Sequence, residues 1–329
     1  MMTHYVMLLD SPVPRGGLGV FDFKSGQSRE VRPPQGNLYE ALAHCADRNM
    51  DWESYLKDLP STPYPLTPAA VKYRPPLKPD NNLLVQISEI TLCTAKTEQA
   101  WYYKGNGRLL KTDGDPLQVP YHSQSISSEP CIVCLYWVDP FGALRFIGFT
   151  LGNDIHDHVL HSRDAISSTH AHLRTCAIAP ALIVGELQAD LAINVQIERD
   201  GQPLTASHHR MSLHRWQSLR RYSEEFLEKH EQFLEPGLVH YVFHSLSHRT
   251  ANVPLQHGDW LSIDCPELEL AMSNQIVEEE LVSLVPLPAR RAPDHGCIDR
   301  PLPVPKKSSD PETYGTNPGL FVKGPGYVG

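Results

Sequence analysis

The chain has 329 residues, of which 41% are hydrophobic and 20% are charged, and its formal net charge is −9. This composition is typical of a folded globular protein, and the length allows one large domain or a large and a small one. The negative charge disfavours binding to nucleic acid or to anionic membranes, which need basic surfaces. No segment approaches the ~20 apolar residues that span a bilayer, and Asp10 interrupts the first apolar run too early for a signal peptide. We therefore expect a cytoplasmic protein.

The cysteines give no sign of a disulfide framework. There are seven, an odd number, and they are scattered along the chain. Disulfide-stabilised chains are usually small, with dense and paired cysteines. Cys131 and Cys134 have the spacing of half a zinc site, but no second pair follows at finger spacing, and in a strand these two positions point to opposite faces. We expect reduced, buried thiols.

The first 80 residues predict a small folded unit and a linker. Apolar runs indicate strands over 5–9 and 18–23, and apolar residues at helical spacing indicate a helix over 38–45. We assign these elements to a small N-terminal α+β domain, residues 1–60. Proline is frequent in the next segment, 61–81, which is typical of an extended linker.

From residue 82 the pattern changes to strands. Asp139-Pro-Phe-Gly142 is a turn signal between two apolar runs, and Asp200-Gly201 is another, so each indicates a hairpin. Helical periodicity covers 212–233, and the proline-rich segment 286–329 reads as a C-terminal tail. The class is therefore β-rich α+β. The predicted strands of this part are 82–87, 132–138, 144–149, 177–184 and 191–198.

Several short motifs occur in one order along the segment 82–285. They are Trp101-Tyr-Tyr-Lys-Gly-Asn-Gly107, Ser128-Glu-Pro130, Gly152-Asn-Asp154, Arg174-Thr-Cys-Ala-Ile178 and Gly258-Asp259. In this order they resemble the fumarylacetoacetate hydrolase family, and most closely a bacterial branch found among sugar-acid genes. The resemblance implies a mixed β-roll domain preceded by a small α+β domain. It also implies a homodimer, by analogy only.

The same resemblance implies an activity. Members of the family act on 2-oxo acids or 1,3-dicarbonyl compounds, which a divalent cation chelates so that an enolate is stabilised. Hard cations such as Mg²⁺ or Mn²⁺ suit the family's oxygen ligands. Glu129 and Asp154 match two of the three metal carboxylates. The other position is Cys131, and a soft sulfur ligand there would weaken Mg²⁺ binding.

Candidate catalytic and substrate-binding residues follow from the matched positions. His170 falls where the family has an active-site lysine, and one of the histidines after Asp154, with His158 as our choice, could move protons near neutral pH. Lys104 is placed to bind the substrate anion. The substrate-binding candidates are Tyr103, Lys104, Asn153 and Arg174.

Three departures from the family pattern keep other functions open. The catalytic histidine of the lid would fall near Leu92, the second metal carboxylate is Cys131, and the substrate-gripping Gly-Thr is replaced by Ser245-Leu246. We expect an enzyme of lyase, hydratase, decarboxylase or isomerase type. The alternatives are a catalytically silent protein that binds a ligand or partner, and a metal-free histidine acid–base catalyst, for example of a cyclisation.

Overall fold

The computed structural model describes residues 6–11, 17–22, 27–61, 74–92, 99–246 and 253–279. Residues Met1–Leu281 form one compact unit and Val282–Gly329 a second, which lies outside the described residues together with the predicted tail. In the described parts the helices are α1 (Leu38–Asp47), α2 (Trp52–Asp58), α3 (His158–Arg163), α4 (Ala165–Ala171) and α5 (Leu213–Glu228). The strands are β1 (Val6–Ser11), β2 (Gly17–Asp22), β3 (Gln27–Val31), β4 (Val85–Leu92), β5 (Gln99–Asn106), β6 (Leu110–Thr112), β7 (Leu117–Val119), β8 (Ile126–Val138), β9 (Leu144–Asp157), β10 (Cys176–Ile178), β11 (Ala181–Val184), β12 (Leu191–Arg199), β13 (Gln202–Met211), β14 (Val239–Ser245), β15 (Trp260–Cys265) and β16 (Leu270–Glu278).

Two sheets organise these strands. Within the described residues the larger has 11 strands and runs β3-β2-β1-β11-β9-β8-β14-β4-β5, with β10 and β6 attached beside β9. The smaller has five, in the order β13-β12-β15-β16-β7. Most pairs are antiparallel, but β14 runs parallel to β4. The predicted β-rich α+β class is confirmed, and with it the mixed character of the sheet.

Each face of the large sheet has its own core, because side chains alternate along a strand. One face packs against the small sheet and α5, through residues such as Phe149, Ile263 and Trp216. The other face packs against α1 and α2. Cys131 lies in the second core and Cys134 in the first, as the strand period predicts.

Several local predictions are confirmed at close to their predicted bounds. The hairpin around Asp139 joins β8 to β9, and Asp200 and Gly201 both have positive φ angles, 51° and 72°, in the turn that joins β12 to β13. A two-residue turn of this kind matches the twist of the strands that it joins. The helix predicted over 212–233 is α5, which Ser212 caps by accepting a hydrogen bond from the Arg215 N–H, and it ends at Glu228, five residues before the predicted end.

The N-terminal segment contributes to the large sheet. Strand β1 pairs with β11, and β2 and β3 extend the sheet beyond β1. Helix α1 buries Leu38 and Leu42 in the second core, and Cys45 on the same helix face is also buried. Whether residues 1–60 also form a domain that folds by itself stays a prediction, and most of the predicted linker 61–81 lies outside the described residues.

No helix among the described residues is both long enough and apolar enough to cross a membrane. The predictions of a cytoplasmic location and of a homodimer remain untested by the fold.

A substitution at Gly152 tests the close packing beside the predicted motif. A Cβ atom there would lie 2.4 Å from Val133 Cγ2 and 3.1 Å from Phe243 Cε1. We expect Gly152→Ala to lower the free energy of unfolding by about 1–3 kcal/mol, because overpacking forces its neighbours to shift. Urea denaturation measures the change, and an unchanged midpoint would contradict this packing.

The buried His240 predicts acid sensitivity. Its Nε2–H donates a 2.8 Å hydrogen bond to the Phe233 carbonyl, and burial lowers the pKa of His240 to about 4. Between pH 6.5 and 4 the unfolded chain therefore binds a proton that the native state does not. The free energy of unfolding should fall by about 3 kcal/mol from this group as the pH decreases across that window. His240→Gln should reduce the slope in pH-dependent urea denaturation, whereas replacing the exposed His214 should leave it unchanged.

Candidate active site

On one face of the large sheet, the buried side chains of β4 and β8, which flank β14, change from apolar to charged along each strand. On β4 the buried row Val85, Ile87 continues to Glu89, and on β8 the row that includes Val133 and Cys131 continues to Glu129. Because side chains two apart in a strand share a face, both carboxylates point to the same side of the sheet. The β8–β9 register places Asp154 directly opposite Glu129. The strand pattern thus brings three carboxyl groups to one buried place.

Lys104 supplies the ammonium group of this cluster. It lies on β5, is 0% exposed, and forms an ion pair with Asp154, which is also 0% exposed. Lys104 Nζ also donates a 2.9 Å hydrogen bond to the His172 carbonyl. Burial alone would lower the pKa of Lys104, but the Asp154 and Glu89 carboxylates raise it above its usual value. Lys104 is therefore a buried cation near neutral pH.

Glu89 begins a hydrogen-bonded chain of imidazoles. His172 Nδ1 lies 2.6 Å from Glu89 Oε2, and His172 Nε2 lies 3.1 Å from His161 Nδ1. The Tyr102 ring stacks on the His172 ring with centroids 4.0 Å apart. Burial, with help from Lys104, lowers the pKa of His172 to about 4. At neutral pH His172 is neutral, and a carboxylate at Glu89 selects the tautomer with the proton on Nδ1.

Glu129 has a separate set of partners. Ser245 Oγ donates a short hydrogen bond to Glu129 Oε2, and His156 Nε2 lies 3.7 Å from Glu129 Oε1. Burial and the nearby Glu89 charge raise the pKa of Glu129 well above its usual value. Burial lowers the pKa of His156 to about 3, so this histidine is neutral.

The cluster has more acidic groups than positive charges. Three carboxyl groups, those of Glu89, Glu129 and Asp154, surround one ammonium, and both His156 and His172 are neutral. Burial raises the pKa of Asp154 to about 7, although Lys104 opposes the shift. Glu89 Oε1 and Asp154 Oδ2 are buried and have no hydrogen-bond donor among the described residues. Buried carboxylate oxygens of this kind require either protons or a further cation.

A metal ion fits the unsatisfied side of the cluster. One atom each of Glu89, Asp154 and His172 lie within 4.8 Å of one another, which is close enough for a shared ion. Two carboxylates and an imidazole form a mixed oxygen and nitrogen set, which suits Mn²⁺ better than Mg²⁺. The unsatisfied oxygens, Glu89 Oε1 and Asp154 Oδ2, are available as ligands for such a cation.

The structure brings together three of the residues that the sequence singled out: Lys104, Glu129 and Asp154. Cys131 does not join the group of possible ligands. Its Sγ–H donates to the Glu129 carbonyl at 3.3 Å, and its side chain is part of the apolar core beside Val133. Among the described residues, the group whose atoms lie close enough to share an ion is Glu89, Asp154 and His172, and the ligand set of Glu129, Cys131 and Asp154 stays a prediction.

The other substrate-binding candidates point away from the cluster. Tyr103 is 40% exposed and stacks on Trp101, because it alternates with Tyr102 and Lys104 along β5. Asn153 alternates with Asp154 in the same way and accepts a 2.7 Å hydrogen bond from Ser128 Oγ on the opposite face. Arg174 donates to the Leu173 and His170 carbonyls, and these bonds hold the loop after α4.

The two predicted catalytic histidines lie outside the cluster. His170 is exposed on α4, and His158 is half-buried at the start of α3, outside the cluster. Two other histidines, His172 and His156, are buried in the cluster, and His161 lies beside them. Position-by-position matching to the family lysine selected His170, and no local signal distinguishes it from His172.

Glu89 lies outside the sequence motifs, although its position in the chain carries a signal. It lies inside the strand Val85–Leu92, between the buried residues Ile87 and Ile90. A charged residue on the buried face of a strand needs a partner, and this requirement could have identified it as a candidate.

Comparisons with known proteins support the fold. Searches of protein-family profiles and of curated proteins gave no match. A solved structure of 2-keto-3-deoxy-D-arabinonate dehydratase, complexed with magnesium and 2,5-dioxopentanoate, matches with a TM-score of 0.60 at 12% identity over 84% of this chain and 99% of that chain. A 2-hydroxyhepta-2,4-diene-1,7-dioate isomerase from Mycobacterium marinum matches with a TM-score of 0.54 at 14% identity over 84% of this chain and 99% of that one. The chain has the fumarylacetoacetate hydrolase fold.

A third structure agrees with these two. The 5-carboxymethyl-2-hydroxymuconate delta-isomerase from Mycobacterium smegmatis matches with a TM-score of 0.52 at 15% identity over 84% of this chain and 100% of that one. At identities this low the likeness concerns the fold, and the chemistry must be argued from the site itself.

The ion pair of the cluster can be tested by its removal. Lys104→Met should lower the free energy of unfolding by about 3 kcal/mol, because it leaves a buried carboxylate without its counter-ion. Combining it with Asp154→Asn should cost less than the sum of the two single changes, since both partners are then neutral. Urea denaturation of the four proteins measures the coupling. Replacing the exposed Lys229 by Met is the control, and strictly additive effects would contradict the pairing.

Proposed function

We propose that this protein is an enzyme that acts on a small 2-oxo acid or dicarbonyl compound through an enolate, in a lyase, hydratase, decarboxylase or isomerase reaction. The observation that carries this proposal is the buried group of three carboxyls, one ammonium and neutral imidazoles. Such groups are costly to bury and are typical of sites that handle protons and developing charge. The shared fold with a dehydratase and two isomerases supports the same class of reaction.

We also propose a divalent cation at Glu89, Asp154 and His172, with Mn²⁺ favoured over Mg²⁺. When bound, such a cation supplies Lewis-acid stabilisation of the charge on a substrate oxygen. The carboxylates of Glu89 and Asp154 would give such a cation two anionic ligands, while Glu129, whose pKa burial raises well above its usual value, would keep its proton. The unsatisfied oxygens Glu89 Oε1 and Asp154 Oδ2 support this assignment.

The remaining groups have distinct tasks in this proposal. Lys104 holds Asp154 in place and adds positive potential where negative charge develops. His172, stacked on Tyr102, would bind the cation in place of the proton that its Nδ1 shares with Glu89, and its Nε2 contacts His161. Ser245 donates a hydrogen bond to Glu129 and holds it close to the same space, where a carboxyl of raised pKa is suited to donating a proton.

Metal-free acid–base catalysis is the second candidate. The observation in its favour is the ion pair between Lys104 and Asp154, in which the Lys104 ammonium supplies the positive charge that a metal ion would otherwise supply. Asp154, with a pKa of about 7, and the neutral His172 would then exchange protons with the substrate, for example in a cyclisation. The remaining hypothesis is a catalytically silent protein that binds a ligand or partner. Such a protein has no need of these buried charges, which are costly to bury.

Mn²⁺ binding separates the candidates. Chelator-stripped protein should bind about one Mn²⁺, measured by electron paramagnetic resonance of the free ion. Asp154→Asn and Glu89→Gln should each weaken binding by at least tenfold, because each removes an anionic ligand. Cys131→Ser and His170→Ala are controls that should bind like the native protein.

The other outcomes have defined meanings. Loss of Mn²⁺ binding in Cys131→Ser would restore the ligand set that the sequence suggested. No binding at millimolar Mn²⁺, together with turnover of a 2-oxo acid in excess chelator, would favour metal-free catalysis. No turnover of any 2-oxo acid or dicarbonyl compound, with or without metal, would contradict the proposed activity. A homodimer and a cytoplasmic location complete the proposal.

A further inference from the structure

The proposed active site is closed to solvent in this structure. Glu89, Lys104 and Asp154 are each 0% exposed, and His172 is 2% exposed. A substrate must reach these groups if they act on it. Some part of the protein that covers them must therefore move.

The segment 158–171, which contains α3 and α4, lies against the cluster. His161 Nδ1 contacts His172 Nε2 at 3.1 Å, and their rings are 5.1 Å apart at 79°. Ser168 Oγ lies 3.0 Å from His161 Nδ1 and 3.4 Å from the Tyr102 hydroxyl. The side of this segment that faces the cluster is thus polar. It contacts His172 on the edge of the ring opposite Glu89.

The segment is weakly anchored. Helix α3 has no buried residue, and α4 buries Ser168 and Ala171 among the residues whose burial is described. Helix α5, in contrast, buries Trp216, Leu219, Ser223 and Leu227. Few buried apolar contacts are the mark of an element that opens at low cost. The polar contacts that remain are each worth about 1 kcal/mol net.

Both ends of the segment are firmly held. Asp157 caps α3 by accepting from the Leu160 N–H at 3.1 Å, and it also accepts from the Gln124 N–H at 2.8 Å. Beyond α4, Lys104 Nζ donates to the His172 carbonyl at 2.9 Å, and Thr175 Oγ1 donates to the Gln118 carbonyl at 2.9 Å. Between the helices Asp164 is extended, with φ −166° and ψ 170°. A short pair of helices between two fixed ends can swing as a unit.

We propose that segment 158–171 is a movable cover of the active site, and that His161, which it carries, is a positioning residue for His172 in the closed state. Opening breaks the His161–His172 hydrogen bond and uncovers the edge of the His172 ring that faces away from Glu89. Closing restores the bond, and this fixes the ring of His172 and excludes water from the small anionic substrate. The role of His161 in turnover rests on the proposed function, whereas the movement of the cover does not.

Cysteine labelling tests the cover on the protein alone. Ser168→Cys places a thiol under the segment, and Ser223→Cys places one on the buried side of the well-anchored α5, as a matched control. We expect N-ethylmaleimide to label Cys in the Ser168→Cys protein at least 100-fold faster than in the Ser223→Cys protein, as measured by peptide mass spectrometry in native buffer. Equal rates would overturn the cover, because both sites would then open only by global unfolding.

Amide hydrogen exchange gives a second measurement without any substitution. Amides of residues 159–171 should exchange at least 100-fold faster than those of β9, which precedes them. Exchange as slow as that of β9 would also overturn the proposal. Neither measurement depends on activity, so both remain decisive if no 2-oxo acid is turned over.

Two histidines of the same segment test the role of His161. His161→Ala should lower kcat at least tenfold with little change in KM, and His161→Asn, whose amide can take the place of Nδ1, should recover most of the loss. His170→Ala is the control, since His170 is exposed and outside the cluster. A native kcat in His161→Ala, or no rescue by asparagine, would overturn the positioning role while leaving the cover standing.

Discussion

The burial of three carboxyl groups around the Lys104 ammonium is the constraint on which the rest of the site depends. In a region of low dielectric constant an unpaired charge is very costly. Every neighbouring polar contact serves to reduce this cost: the Ser245 hydroxyl on Glu129, the His172 ring on Glu89, and the Lys104 ion pair with Asp154. The acidic groups still exceed the positive ones, and this surplus is what makes the cluster suited to a cation or to proton transfer.

The regular strands of the large sheet are sufficient to bring these carboxyl groups together. Its strands have apolar rows on the face that packs against α1 and α2. The same rows continue, two residues further along β4 and β8, into Glu89 and Glu129. Since the sheet holds the strands in fixed register, the carboxylates cannot move apart to relieve their repulsion. The stability of the two cores therefore offsets the free-energy cost of holding these carboxyl groups close together. The rigid sheet also fixes the geometry that catalysis would need.

The outer side of the site contrasts with this rigidity. Helices α3 and α4 contribute little to either core, and they meet the cluster through His161 and Ser168. A charged cluster on a rigid sheet, covered by a weakly anchored polar segment, is suited to binding a small substrate. The sheet keeps the charged side chains pre-organised, and the cover excludes water from them.

The sequence by itself determined the fold class, the main hairpins and helix α5, because these depend on periodicity and turn residues that lie close together in the chain. It also singled out Lys104, Glu129 and Asp154, through motifs that resemble a known family. It did not show that Glu89 and His172 lie beside these residues, or that the Cys131 side chain belongs to an apolar core. Those assignments depend on which strands become neighbours and on which face each side chain takes. Such contacts join residues more than 60 positions apart, as for Lys104 and His172, and only the tertiary structure decided them.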